Sequence, residues 1–172
     1  MTTGISANTQ SYVLYGPAYC TVNNVNLGAL IGDCPFEMST EEFYPEFAEA
    51  WGPVAGTGKV IAGAGKITVT MSEWTYTSLS TLFSSGASST ASSQKLGSGT
   101  LGTITEITNV ILLGFTRNDA KAVRITIPKA RVTSPLGSTV QKGENSNLEV
   151  TFESLFTGVA PKTMPMWVEI AI

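Results

Sequence analysis

Ile67, Val69 and Met71 alternate with Thr68, Thr70 and Ser72. A period of two predicts a strand with one buried face. The same alternation returns three times: Val123, Ile125 and Ile127 against Arg124 and Thr126; Leu148, Val150 and Phe152 against Glu149, Thr151 and Glu153; Val168, Ile170 and Ile172 against Trp167, Glu169 and Ala171. Thr103 to Phe115 is rich in Ile, Val and Thr and predicts a long strand. Its apolar set changes face near Asn109, which predicts a bulge or bend there. Arg117-Asn118-Asp119-Ala120 is a turn, so this strand and Val123–Ile127 form a hairpin. Pro128 is expected to end the second strand or to mark an exposed edge. Tyr12–Tyr15, Ala18–Val22 and Phe36–Phe43 read as further strands.

Tyr76, Leu79, Leu82 and Phe83 fall at helical spacing and predict the one helix. Its Ser and Thr residues are poor helix formers, so burial of the apolar stripe must hold it. Two stretches read as loops: a long one around 44–65, with Gly52, Gly56, Gly58, Gly63 and Gly65, and a Ser/Gly-rich one at 84–102. The expectation is a single mainly β domain over residues 1–172: a β-sandwich or barrel of about seven strands with one flanking α-helix.

The charge is polarised. Residues 1–58 contain six acids and no base, whereas residues 59–172 hold ten bases and seven acids. Most of the early acids lie between Phe36 and Trp51, mixed with Phe43, Tyr44, Phe47 and Trp51. Two readings are open. Rings that bury area beside carboxylates that set register make a docking segment; alternatively the rings fill the chain's own core. Charged residues make up only 13% of the chain, against about 25% in ordinary soluble proteins. Such a surface is suited to meeting other protein as well as water.

Histidine is absent. That removes Ser-His-Asp and Cys-His catalysis and histidine-ligated zinc. Two cysteines, Cys20 and Cys34, cannot make a four-thiolate site, and they read as free thiols. Gly97-Ser98-Gly99-Thr100-Leu101-Gly102 spells a dinucleotide turn but lacks the strand before it and the helix after it. Gly58-Lys59 and Gly65-Lys66 lack the earlier glycine and the following Ser or Thr of a phosphate loop. Ser92 and Lys95 have an acyl-transfer spacing with no companion motif. Glu41 with Glu42, or Glu46 with Glu49, are neighbours in one acidic run rather than carboxylates facing across a cleft. No cofactor, metal or enzyme activity is expected. No apolar run approaches the roughly 18 residues of a membrane span. Met1-Thr2-Thr3-Gly4 does not open a signal peptide, so synthesis in a cytoplasm is expected.

The hairpin and the segments C-terminal to it carry a family likeness. Val123-Arg124-Ile125-Thr126-Ile127-Pro128-Lys129-Ala130 leads through a polar connection into Leu148-Glu149-Val150-Thr151-Phe152-Glu153-Ser154-Leu155-Phe156. A Pro-containing link and a short strand come next. This resembles the C-terminal half of tail tube proteins of long-tailed bacteriophages. An acidic strand, a Gly-rich loop, and Ile67–Trp74 running into Tyr76–Phe83 extend the likeness over roughly residues 36–172. The Ser-rich stretch at 84–102 departs from the family pattern.

The resemblance implies a virion structural protein made in the host cytoplasm. Six copies would form a ring, and rings would stack into a hollow tube that conducts double-stranded DNA. Its partners would be itself and other tail proteins, such as the tape measure, the tail terminator and baseplate or tip proteins. Tubes of contractile tails, bacteriocins and secretion systems would share the same logic. On this reading Phe43, Tyr44, Phe47 and Trp51 contribute to ring stacking, and Glu106, Glu149, Glu153 and Glu169 face the lumen, where carboxylates oppose sticking of DNA. Arg124, on a comparable face, argues against a uniformly negative lining. A monomeric β-sandwich that binds carbohydrate or another ligand is the competing reading, and it too accounts for Thr-rich strands and exposed aromatics.

Overall fold

The computed structural model describes residues 14–15, 19–45, 52, 54–83, 88–89, 93–95, 106–117, 122–138, 146–156 and 164–170. Its strands are β1 (Leu14–Tyr15), β2 (Tyr19–Val22), β3 (Val25–Asn26), β4 (Phe36–Phe43), β5 (Lys59–Met71), β6 (Ser88–Ser89), β7 (Gln94–Lys95), β8 (Ile107–Arg117), β9 (Ala122–Val132), β10 (Leu148–Ser154) and β11 (Trp167–Ile170); helix α1 (Tyr76–Leu82) comes directly after β5. Nine strands form one antiparallel sheet in the order β3-β2-β8-β9-β10-β5-β4, with β1 on β8 and β11 on β9. The protein is mainly β with one short helix, and the sheet does not close into a barrel. The chain between β3 and β4 draws the two ends of the sheet together: Ile31 N–H donates to Thr70 O, Ser72 N–H to Ala29 O and Thr68 N–H to Pro35 O.

The period-two pattern decides which face is buried. Leu148, Val150 and Phe152 of β10 lie opposite Met71, Val69 and Ile67 of β5, and all six are fully buried. Burying each such side chain contributes about 1.5–3 kcal/mol. Cys20, Val22, Ile107, Val110, Leu112, Ile125, Ile127, Leu82 and Met166 belong to the same core. Thr75 caps α1 by accepting from Ser78 N–H at 3.1 Å. Leu82 is buried, while Leu79 and Phe83 pack against the core from its margin. The stripe therefore holds this serine- and threonine-rich helix in place.

The β8–β9 hairpin changes its buried face, as its sequence predicts. Ile107 pairs with Ala130, Val110 with Ile127 and Leu112 with Ile125, each pair buried. The inward phase thus switches on both strands at one point, between Thr108 and Val110. Asn109 occupies the left-handed region there, with φ 52°, a conformation Asn tolerates better than most residues. A separate register slip lies between Leu113 and Phe115. The Asn23-Asn24 turn between β2 and β3 has φ 51° and 65°, as a two-residue hairpin loop with right-handed strand twist requires.

Five expectations need correction. The alternation of Val168 and Ile170 does not bury one face of β11, whose four residues are all exposed. Residues 59–65 are strand rather than loop, because β5 begins at Lys59. Pro128 neither ends β9 nor marks an edge. It lies inside β9 between the stretch paired with β10 (Ala130–Val132) and the stretch paired with β11 (Val123–Thr126). A missing N–H is tolerated in that gap. The sheet has nine strands rather than about seven. Within 84–102, Ser88–Ser89 pairs with Gln94–Lys95 as a small ribbon; Ser84–Ala87, Thr90–Ser92 and Leu96–Gly102 lie outside the described residues.

Candidate assembly surface

Beyond the end of β10, β4 and the first half of β5 continue as a two-stranded arm. Pairing runs from Phe36 opposite Ile67 to Phe43 opposite Lys59, with a bulge between Glu41 and Glu42. All eight residues of β4 are exposed, and among the described residues its outer edge pairs with no strand. Residues opposite one another share a face. Phe36, Met38 and Thr40 therefore lie on the face of Ile67, Gly65 and Gly63, which continues the core side of β5. Glu37, Ser39 and Glu41 share the other face with Lys66, Ala64 and Ala62.

The core-side face is only partly covered. Met166 packs on Gly65 so closely that an added β-carbon would lie 2.6 Å from its sulfur. Met164 and Pro165 sit over Gly63 at 3.0 to 3.2 Å from such a carbon. Gly65 N–H donates to Ser154 Oγ at 2.7 Å. These two glycines serve close approach inside a strand rather than turning the chain. Past them a cleft of about 270 Å³ opens, lined by Thr40, Val60, Ile61, Phe156, Met164 and Pro165 among others. Phe36, Met38, Phe43, Val60 and Ile61 are exposed, Val60 to 58%. Five large apolar side chains on one arm exceed the scattered exposure normal for a monomer.

Of the aromatics predicted to dock, Phe43 and Tyr44 lie at the far end of β4 and are both exposed. The Tyr44 hydroxyl donates to Glu42 Oε2 at 2.9 Å, and this carboxylate holds the phenol above its usual range. Its ring lies over Gly58, leaving no room for a side chain there. Phe47 and Trp51 lie outside the described residues. Phe36, Met38 and Val60 lie on the core-side face of the same arm, opposite to the face of Phe43, and escape the sequence pattern. Their one readable signal is Val60-Ile61 facing a complementary run at 36–43, hidden by the surrounding glycines.

The four predicted lumen carboxylates lie on solvent-facing positions. Glu106 accepts from Lys129 Nζ at 3.2 Å, and Glu153 accepts from Arg131 Nη2 at 2.7 Å and Nε at 3.0 Å. Glu169 stands 3.9 Å from Arg124 Nη1, and Glu149 lies opposite Thr70. Three of the four thus have a cationic neighbour. Register extends the alternation: Glu37 lies opposite Lys66, Lys66 opposite Glu153, and Glu153 opposite Arg131. A row of alternating sign crosses β4, β5, β10 and β9.

Among the described residues no helix is long and apolar enough to cross a membrane. Among those residues no group of three or more Cys, Asp or Glu could hold a metal ion. No protein-family model matches the chain, and no curated protein matches it.

Proposed function

We propose that the chain is a tail tube subunit of a long-tailed bacteriophage or a related tube. Copies assemble as stacked rings, hexameric in the family it resembles, around a bore that passes double-stranded DNA. The observation that supports this most is the arm. Its core-side face is patterned for burial, yet among the described residues Met164–Met166 cover its inner part and leave Phe36, Met38 and Val60 exposed. A second copy would supply the missing layer and complete the unpaired edge of β4, whose exposure is a hazard in a free subunit. Phe43 and Tyr44, at the tip, would reach the next ring. The carboxylates Glu106, Glu149, Glu153 and Glu169 remain the candidates for the wall. Their cationic neighbours would make that wall charge-balanced rather than strongly repulsive.

The test is electron microscopy and light scattering on the purified chain at increasing concentration, with and without preformed tail tips as initiators. Rings or hollow filaments are expected. A monomer under every condition, with binding of a glycan or other small ligand, would replace this reading with the binding module.

A further inference from the structure

Among the described residues the outer edge of β4 pairs with no strand, and β4 carries Glu37, Glu41 and Glu42. Edges of this kind most readily pair with themselves about a twofold axis, antiparallel, as isologous contacts do. We infer that these three carboxylates bar β4 from pairing with β4 of a second copy and leave the edge to a head-to-tail contact with a different surface of that copy.

Register sets the barrier. A twofold axis keeps each face of the strand on one side of the pair, so one residue of β4 must lie opposite its own copy. When Ser39 faces Ser39, Glu37 lies opposite Glu41, and by symmetry the opposition occurs twice. When Thr40 faces Thr40, Glu41 lies diagonal to Glu37 and to its own copy. Slips toward Phe43 set Glu41 or Glu42 opposite its own copy. Directly opposed like charges destabilise a strand pair, and diagonal neighbours remain within reach of long side chains. Lys66 lies opposite Glu37 on the inner neighbour strand. It therefore offsets one carboxylate but sits a strand further from the dimer axis than the opposing Glu. The bulge at Glu41/Glu42 adds local twist at the same place.

The occupant is a second copy of this chain, presenting a surface outside residues 1–58. Those residues hold six acids and no base, while residues 59–172 carry a net charge of +3. A head-to-tail contact sets the acidic edge of one copy against the cationic remainder of the next. A twofold contact sets acid against acid. Heterologous contacts are the kind that close rings or extend filaments, so this inference deepens the assembly reading and rests on it for its occupant.

The test uses a reporter, Ser39→Cys in a Cys34→Ser background, with and without E37Q, E41Q and E42Q together. Oxidative cross-linking through residue 39 is read on a non-reducing gel, and dimer affinity by light scattering. The neutral chain is expected to cross-link and to dimerise on the order of tenfold more tightly than the charged chain, a change of about 1.4 kcal/mol. The charged chain should cross-link only in about 1 M salt, where screening reaches roughly 3 Å; this second arm stands even if the neutral chain folds poorly. Equal cross-linking of the charged chain in low and high salt, or of charged and neutral chains, overturns the inference. Micrographs of the unsubstituted chain separate the two failures. Rings with charge-independent cross-linking overturn the guarded edge alone. A chain that never assembles, yet cross-links only when neutralised, supports the guarded edge and overturns the tube.

Discussion

Gly65→Ala tests whether the strand glycines exist for close approach. A β-carbon at Gly65 would meet Met166 Cβ at 2.5 Å and its sulfur at 2.6 Å. The first contact is at the root of the side chain, so a new rotamer does not relieve it. The backbone of the segment ahead of β11 must move. Overpacking of this kind costs about 1–3 kcal/mol, and the gain from replacing a strand glycine offsets about 0.5–1 of that. The net loss is at most about 2.5 kcal/mol, with a midpoint of about 1.3, or about 3–5 °C in Tm for a domain of this size. Gly63→Ala meets mainly the mobile end of Met164, at 3.0 and 3.1 Å, with Pro165 Cδ at 3.2 Å, and should cost less. Gly137→Ala meets nothing within 4 Å and should be neutral or stabilising by about 0.4–1 kcal/mol. Thermal unfolding followed by circular dichroism ranks the three variants. A Gly65→Ala protein as stable as Gly137→Ala would refute the close-approach role.

Three further outcomes are expected. Asn23 Oδ1 accepts from Thr108 N–H at 2.9 Å and from Thr108 Oγ1 at 2.7 Å, in a left-handed backbone. Asn23→Ala should cost about 2 kcal/mol in urea unfolding, and Asn23→Gly, which restores only the backbone freedom, should fall between it and the natural chain. Burial, with a contribution from Cys34, pushes the Cys20 thiol up to about 12, and burial together with Asp33 raises Cys34. Cys34 should therefore react with a thiol reagent well before Cys20. Below about pH 9 the Cys20 thiol is protonated in both states and costs nothing. Above that the unfolded thiol ionises first, so stability should fall by about 1.4 kcal/mol per pH unit. A urea midpoint whose alkaline slope is no flatter in Cys20→Ala would count against this assignment.

Strands read from alternation are those where one face meets the core: Ile67–Met71, Val123–Ile127 and Leu148–Phe152 show it in the sequence itself. The face change at Asn109 is legible for the same reason, since a phase switch in the apolar set leaves a trace in one strand. The features that stay hidden depend on partners distant in the chain. Gly63 and Gly65 look like loop residues until Met164–Met166, about a hundred positions later, is seen lying on them. Pro128 looks like a stop until two separate strands are found sharing one side of β9. The candidate wall carboxylates are readable as polar positions, but Lys129, Arg131 and Arg124 beside them emerge only from register. The arm is half legible: acid mixed with Phe43 and Tyr44 flags it, and its length does not show because the glycines of its second strand mimic a loop.

The arm also carries a gradient of protection along one pair of strands. At its base Ile67, Val69 and Met71 are buried beside β10 in the same sheet, and opening their amides means breaching the core. From Gly63 outward the ladder of backbone bonds has little side-chain burial behind it, so it opens at small cost. Amide exchange should therefore run as a wave from Phe43 and Lys59 inward and stop abruptly at Gly65. A single covalent strand thus joins a stretch held by core burial to one whose backbone ladder is left almost unsupported by side chains.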